Sequence, residues 1–465
     1  MPGRIEFGFN FNSQTQSLKQ SKFGLMRTYI FADFSAQVPG LVSEGKIISI
    51  DIDNFDQVMA KIQPSIEISP DCQLGFSELE DFHPDNIYLK GTIFNNLKRL
   101  KKDLESPQRA TQAADEIRAF YQSAPVEYEQ NREDSSDLIE RLLGQPPSDS
   151  VIKQKSTDAL ENYLHNMLEP HLISETTPEI KELTAFIDSV TEELMNSILH
   201  STAFQQLESI WRSTYDLLFN EETDENQTFY LVDISKLALF DDIHKNGVMQ
   251  SSIASKLMSH GVQDIDEQPY ILMVGNYTFS SMAEDIQFLS LIGEFAGKFN
   301  SSFVAAADKT LIEDCVLAEQ PNNLLWEEFR SSKASEWVAL TYPRILLRIP
   351  YGEGVEETDS FPFEEFRLDH EHEQLLWGNS AFACARLLIR QYLNPQFGGG
   401  FELNDLPAYT YVKEGEKVLQ ACGEQLMNEQ LINKIYAQGI MPLISFRNRN
   451  SVRFLGIQSV SAGSL

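Results

Sequence analysis

The order of apolar and polar positions predicts short strands alternating with helices near the start of the chain. Residues 28–34 and 46–52 are brief runs rich in β-branched and aromatic side chains, which is typical of buried strands. Asn54 then precedes a predicted helix over residues 55–62, and Pro64 ends it. The pattern therefore favours a small α/β unit in this region.

Apolar residues at helical spacing predict longer helices further on. One begins near Pro84, because proline is tolerated at the first helical position. The period alone accounts for these stripes, so we expect them to be core faces rather than cofactor sites. They consist of Phe94, Leu97, Leu100 and Leu104; of Leu183, Phe186, Ile187, Val190, Leu194 and Ile198; and of Phe204, Leu207, Ile210, Trp211, Tyr215 and Leu218.

After residue 228 the pattern changes to apolar strands separated by helical stretches. The strand segments are FYLVDI (229–234), PYILMVGNY (269–277), SFVAAA (302–307) and WVALTYP (337–343). Continuous apolar strands alternating with helices predict a mainly parallel sheet that is covered on both faces.

Residues 122–150 are poor in core-forming side chains and contain the pair Pro146-Pro147, which predicts a linker. Within it, Asp137 and Glu140 have the spacing of a capping box, and Gly144 would end the helical turn. This short helix would bury its apolar stripe either on its own domain or on a partner. The stripe consists of Leu138, Ile139, Leu142 and Leu143.

Composition indicates a globular chain of two or three domains. The chain has 465 residues, of which 42% are hydrophobic and 11% aromatic, enough for sizeable cores. Its four cysteines lie far apart without a CxxC pair, which favours a reducing cytoplasm over a disulfide framework. Neither a signal peptide nor a long apolar segment is present in the sequence, so we expect a cytoplasmic protein without membrane insertion.

The charge balance argues against nucleic acid as a partner. Asp and Glu number 69 against 37 Lys and Arg, a formal net charge of −32, which opposes attraction to phosphates. The stretch from Gln430 to the end contains no acidic residue, yet it carries Arg447, Arg449 and Arg453. Our hypothesis is that these arginines dock on an acidic face of another copy.

The search for chemistry finds no converging site, and we expect no metal, no cofactor and no enzymatic activity. His370 and His372 flank Glu371, but no third ligand is placed by the sequence, so an exposed acidic stretch is the better interpretation. The triple glycine at residues 398–400 lacks a following GK[ST], and therefore a turn is expected there rather than a phosphate loop.

Two further polar pairs have structural interpretations. His83 and Asp85 surround a proline at a predicted helix start, which already explains the segment. Arg344 and Arg348 lie between two prolines, and we expect them to pair with carboxylates at a packed interface. No GxSxG or HExxH motif is present in the sequence.

Two parts of the chain resemble the two subunits of the type VI secretion contractile sheath. The stretch from TYIFADFSAQVPG, which begins at Thr28, through ELEDFHPDNI and on to residue 98 resembles the small subunit, TssB or VipA. From about residue 180 onward the chain resembles the large subunit, TssC or VipB. That resemblance rests on FQQLESIWRSTYDLL, YILMVGNYTFS, YPRILLRIPYG, LLWGNSAFACARLL, FGGGFELNDLPAYTY and GIMPLISFRNRNSVRFLGIQS.

The resemblance implies an α/β fold with two sheath-type domains, whose mixed sheets are flanked by helices and joined by a linker and a helical segment. The expected segments are a small-subunit part at residues 1–121, the linker at 122–150, a helical part at 151–227, and a large-subunit α/β core at 228–465.

The resemblance also implies a function without catalysis. In that family the two subunits form a heterodimer that polymerises around an Hcp tube, is attached to a baseplate, and contracts to propel the tube. Extended chain ends add strands to neighbouring subunits. The AAA+ ATPase ClpV recognises a large-subunit helix, and Leu138, Ile139, Leu142 and Leu143 lie where that helix is expected.

The expected function is therefore that of a sheath protomer with both subunits in one chain. Fusion would make docking of the two halves intramolecular. The sequence given ends at FLGIQSVSAGSL, whereas the family's large subunit continues into a helical part and arm strands. A sheath-like accessory protein that caps, nucleates or regulates a polymer of ordinary subunits is the alternative, and an enzyme on an α/β scaffold is the third interpretation.

Overall fold

The computed structural model describes residues 26–36, 45–69, 72–122, 177–221, 227–262, 270–318, 324–352, 355–366, 372–393, 400–413 and 416–461. The strands are β1 Met26–Ala32, β2 Lys46–Ile50, β3 Ser65–Ser69, β4 Cys72–Gly75, β5 Gln227–Asp233, β6 Tyr270–Phe279, β7 Ser302–Ala307, β8 Val338–Tyr342, β9 Ile345–Leu346, β10 Trp377–Gly378, β11 Glu402–Leu403, β12 Thr410–Lys413, β13 Glu416–Leu419, β14 Ile440–Ser445 and β15 Val452–Phe454.

The helices are α1 Phe55–Ile62, α2 Pro84–Lys90, α3 Asn95–Glu105, α4 Ala110–Gln122, α5 Thr177–Leu199, α6 Thr202–Asn220, α7 Lys236–Asn246, α8 Ser252–Leu257, α9 Ala283–Lys298, α10 Lys309–Ile312, α11 Leu324–Arg330, α12 Ala381–Leu393 and α13 Glu429–Ala437. These bounds confirm the predicted helix over residues 55–62 and the helix that begins at Pro84. They also confirm the four strands predicted after residue 228.

The chain forms two compact units, and each unit draws on distant parts of the sequence. The first contains the described residues of Met1–Pro64, Gln206–Ile349 and Leu375–Leu465. The second contains those of Ser65–Gln205 and Pro350–Gln374. The sequence-based division assigns consecutive segments to the two subunit types, and it stays a prediction; the segments are 1–121, 122–150, 151–227 and 228–465. The two compact units are a different division, because they group residues that pack together rather than residues that are consecutive in the chain.

Within the described residues, one large mixed sheet of nine strands organises the first unit. Its order is β11-β15-β14-β8-β7-β6-β1-β5-β2. The six strands from β14 to β5 run parallel, and antiparallel strands close both ends. This arrangement confirms the predicted α/β class and the mainly parallel sheet.

Strand β1 lies in the interior of this sheet, between β5 and β6. Met26 is the register partner of both Gln227 and Tyr270, so the strand is hydrogen-bonded on both sides. Six of its seven residues are buried, as expected for a parallel strand that is covered on both faces. A strand from the start of the chain therefore completes a sheet built mostly from its second half.

Helices cover both faces of the sheet. On one face, α7, α8, α9 and α11 pack with alternate strand residues, including Phe31, Met273 and Phe303, in a single hydrophobic core. The strand residues that point to the opposite face meet α6 and α12. There the ring of Tyr392, on α12, stacks on the ring of Tyr270, with the two centroids 4.9 Å apart. The sheet is thus the middle layer of three.

The second unit is built around the hairpin β3–β4 and helices α2 to α5. The rings of Phe76, Phe82 and Phe204 pack together, with centroids 4.4–6.0 Å apart. The predicted stripe of α3 is buried, and Lys101 on its flank donates to Asp188 of α5 at 2.6 Å. This unit also combines residues from before and after the predicted linker.

Candidate assembly interface

An aromatic cluster fastens the end of β1 to helix α6. Trp211 is fully buried, and its indole Nε1 donates a hydrogen bond to the carbonyl oxygen of Phe34 at 3.1 Å. The rings of Phe34 and Phe55 meet the indole edge-on, with centroids 5.2 and 5.6 Å away. Buried tryptophan and phenylalanine rings of this kind dominate the energetics of protein interfaces.

Polar contacts reinforce the same junction at the carboxyl end of β5. Asp233 Oδ1 accepts hydrogen bonds from the backbone N–H groups of Phe34, at 2.9 Å, and Ser35, at 3.3 Å. Burial raises the pKa of Asp233, and the hydrogen bonds from Ser35 oppose that shift. In open parallel sheets, ligands usually bind in a crevice beyond the carboxyl ends of the strands. Here the residues that follow β1, Phe34 and Ser35, lie at that edge and are hydrogen-bonded to Asp233.

A buried ion pair lies on the face of the sheet covered by α6. Glu208 is fully buried and accepts from Arg348 at 3.0 Å and from Arg212 at 2.7 Å. At the surface, Arg344 forms a bidentate ion pair with Glu424: Nε donates to Oε2 at 2.9 Å and Nη2 donates to Oε1 at 2.6 Å. The prediction that Arg344 and Arg348 pair with carboxylates is therefore confirmed.

A second ion-pair group joins α6 to α12. Arg386 donates to Asp216 at 2.9 Å and to Glu221 at 3.3 Å, and Arg390 donates to Glu221 at 2.9 Å. Burial raises the pKa of Glu221, and both arginines oppose the shift. The sequence interpretation missed this group. Two arginines four positions apart in the apolar helix AFACARLLIRQYL were the available signal.

The structure brings Arg447, Arg449 and Arg453 together on one β-hairpin, formed by β14, β15 and the turn between them. We call the tip of this hairpin, residues 446–453, the basic hairpin. All three arginine side chains are exposed. Asn448 has a φ of 59° in the turn, and the Arg449 guanidinium lies 5.8 Å from the ring centroid of Phe446. Their predicted contact with another subunit stays a prediction.

His83 and Asp85 have the structural role that was predicted. His83 Nδ1 accepts a hydrogen bond from the backbone N–H of Asp85 at 3.2 Å and so caps α2. The carboxylate of Asp85 accepts from the backbone N–H groups of Asp359, at 2.9 Å, and Ser360, at 2.8 Å. Both side chains are therefore used to hold backbone in place.

Several sequence candidates lie outside the described residues. These are the stripe Leu138, Ile139, Leu142 and Leu143, the pair His370-Glu371, and the glycines at 398–399. His372 is described and opens a short 3₁₀ helix, His372–Gln374. In the part of the chain that the structure describes, no group of His, Cys, Asp and Glu side chains is arranged to hold a metal.

All four cysteines are buried free thiols. Burial raises the pKa of Cys384 to about 12 and that of Cys422 to about 11, so both stay protonated at neutral pH. None of the helices within the described ranges is long and apolar enough to cross a bilayer.

Comparison with known proteins matches two regions of the chain to two sheath families, and these regions contribute the residues on either side of the contacts around Trp211 and Asp233. Residues 181–461 match the family model of VipB, described as "EvpB/VC_A0108, tail sheath N-terminal domain". Residues 4–133 match the model described as "Type VI secretion system, VipA, VC_A0107 or Hcp2". The type VI secretion system sheath protein TssC1 of Pseudomonas aeruginosa is 27% identical over 338 residues, which cover 66% of this chain and 68% of that protein. Phe34 and Phe55 therefore come from the VipA-type region, and Trp211 and Asp233 from the VipB-type region.

Proposed function

Because the chain belongs to the tail sheath family of type VI secretion systems, we propose that it is a structural protomer of the contractile sheath, with a VipA-type and a VipB-type region in one polypeptide. The observation that carries this proposal is the position of β1. A VipA-type strand lies between two VipB-type strands and is hydrogen-bonded to both. The two regions thus share one core, as a sheath heterodimer requires.

The proposal extends to the partners of such a protomer. The protein assembles in the cytoplasm with further copies or with other sheath subunits around an Hcp-type inner tube, on a baseplate. Contraction of the polymer then propels the tube. The family is structural, and we assign no catalytic step. Each protomer would need two arrangements of its contacts with neighbours, coupled along the helical polymer.

The ends of the large sheet support assembly by strand addition. Strand β2 is the terminal strand on one side and pairs with β5. Its residues Ile47, Ile48 and Ser49 are half-buried or exposed rather than fully covered. A terminal strand rich in isoleucine can accept an extended segment from a neighbouring molecule, because no strand of the described residues pairs with its outer edge.

Electron microscopy of the purified full chain in negative stain tests this function. The proposal predicts hollow helical tubes, formed by the chain alone or together with Hcp-type tube protein. Discrete particles that attach only to the ends of a sheath made by other subunits would contradict it, and would establish the accessory role instead.

A further inference from the structure

The basic hairpin carries unpaired positive charge in a strongly acidic protein. Within the described residues, neither Arg447 nor Arg449 takes part in an ion pair, although the chain has 69 acidic residues. Arg453 differs, because it is the cross-strand partner of Glu402 on β11. The net positive charge of the hairpin therefore rests on Arg447 and Arg449, at its turn.

The turn is also shaped to present these charges. Asn448 adopts the left-handed conformation between the two arginines. The Arg449 guanidinium lies over Phe446, and the carbonyl of Arg449 accepts a weak contact from the thiol of Cys422 at 3.7 Å. Contacts on both the side chain and the backbone of Arg449 restrict the turn, so less conformational entropy is lost when it binds a partner.

A surface of complementary character lies on the connection between β7 and β8 in the same unit. Leu324 and Leu325 of α11 are 74% and 49% exposed, and Glu327 and Glu328 of the same helix are also exposed. We call these four residues the acidic ledge. Neither glutamate forms an ion pair with a described residue.

The acidic ledge is the outer side of a well-packed element. Trp326 and Phe329 on the inner side of α11 are buried in the same hydrophobic core as Leu311 and Cys315 of the preceding turn. Two large leucines exposed at consecutive positions of one short helix, next to two exposed glutamates, mark an interaction surface, because monomeric proteins seldom expose such apolar side chains together.

We propose that the basic hairpin of one copy docks on the acidic ledge of a second copy, with Arg447 and Arg449 facing Glu327 and Glu328 and with the leucines buried beneath. Complementary charge identifies the occupant as another copy of this chain. The contact joins two different surfaces, so it is heterologous and leaves one hairpin and one ledge free at the ends of every assembly. Such contacts propagate, and the inference therefore rests on the proposed sheath function.

Charge reversal on the full chain tests the contact, with self-association measured by sedimentation velocity over a range of concentrations and salt. The hairpin variant is Arg447→Glu/Arg449→Glu, and the ledge variant is Glu327→Arg/Glu328→Arg. Each alone should weaken self-association about tenfold or more, because like charges then face each other. An equal mixture of the two variants should recover it, and the wild-type association should weaken as salt increases.

Matched controls change the same charge elsewhere. Lys102→Glu/Lys434→Glu matches the hairpin variant, and Glu67→Arg/Glu105→Arg matches the ledge variant; all four residues are exposed. Both controls should associate like the wild type. The docking inference fails if the controls lose association equally, or if the mixture does not recover it.

Two further outcomes separate this inference from the proposed function. If the wild type assembles into tubes and both variants assemble equally well, the docking is wrong and the sheath function stands. If the variants instead lose only binding to Hcp-type tube protein, the surfaces face the tube and the contact between copies is also wrong. A wild-type chain that stays monomeric at every concentration when alone contradicts the docking inference, and one that stays monomeric also with Hcp-type tube protein contradicts both proposals.

Discussion

The indole of Trp211 donates its hydrogen bond to the carbonyl oxygen of Phe34 at 3.1 Å, across 177 positions of the chain. The two residues belong to the VipB-type and the VipA-type regions. Their rings pack edge-on at 5.2 Å. A contact of this kind, formed at the end of a central strand, ties the stability of one region to the presence of the other.

Trp211→Ala should therefore destabilise the whole first unit. Loss of a fully buried tryptophan costs about 3–5 kcal/mol, because it removes buried surface and leaves a cavity. Urea unfolding followed by circular dichroism measures the change in the free energy of unfolding. Phe219→Ala on the same helix is the control: its side chain is 66% exposed, and its removal should change that free energy by less than about 0.5 kcal/mol.

Glu208→Gln should be costly, because it removes the buried negative charge that the Arg348 guanidinium contacts at 3.0 Å. Breaking a buried pair in this way costs about 3–5 kcal/mol. The exposed pair Arg344 and Glu424 provides the control, since Glu424→Gln should cost no more than about 1 kcal/mol.

Replacing both members of the buried pair, as in Glu208→Leu/Arg348→Met, should recover most of the stability lost by Glu208→Gln, because both buried charges of the pair are then replaced by apolar side chains. Arg212 can then turn to solvent, since its side chain is 23% exposed. A double variant as unstable as the single one would contradict the assignment of the pair.

The stability of the second unit should depend on pH through Glu193. Burial, followed by the neighbouring charge of Glu192, raises the pKa of Glu193 from its ordinary value of 4.5 to about 7. The folded state then holds the proton more tightly than the unfolded state. The stabilisation is fully present below about pH 4.5 and is lost as the pH rises through 7.

The urea midpoint of unfolding, measured from pH 5 to 8, tests this dependence. Glu193→Gln should flatten the decline, because the glutamine does not titrate. Glu182→Gln, at an exposed position of the same helix, should leave the decline as it is in the wild type. An identical pH profile for the wild type and Glu193→Gln would show that Glu193 titrates normally.

We propose that residues 138–143 are the recognition element for a ClpV-type ATPase, because the sequence predicts a short helix there and the family resemblance implies such an element at this place. Leu138→Ser/Leu142→Ser should reduce co-purification of the full chain with that ATPase, because the apolar stripe is removed. The midpoint of thermal unfolding should stay unchanged. Arg141→Ser lies off the stripe and should bind normally; equal binding by all three chains would contradict this role.

Local patterns were sufficient to predict most elements and the class of the sheet. The run FYLVDI and the later apolar segments are continuous, and a sheet buried on both faces requires such strands. Strand bounds shifted by about two residues, as at Met26–Ala32, because the ends depend on which neighbour offers hydrogen bonds.

The place of β1 could not be predicted in this way. A parallel strand pairs through evenly spaced backbone hydrogen bonds. Every residue has the same backbone groups, so the sequence of a strand does not indicate which strand it pairs with. Whether β1 would join β2 in a separate small sheet or enter between β5 and β6 is decided by tertiary packing, in particular by Trp211 and Asp233. For the same reason the partners of Arg386 and Arg390 were not foreseen, although both arginines stood out in an apolar helix.

The most direct test of the central claim, that the two regions form a single core, is to cut the chain between them. A site for a specific protease inserted between Gly144 and Gln145 separates the two regions covalently, and size-exclusion chromatography with mass analysis then follows the products. The shared sheet predicts that both fragments elute together in a one-to-one complex at the size of the uncut protein, and separate only in denaturant. Two fragments that elute apart, each folded by circular dichroism, would contradict the position of β1 between β5 and β6.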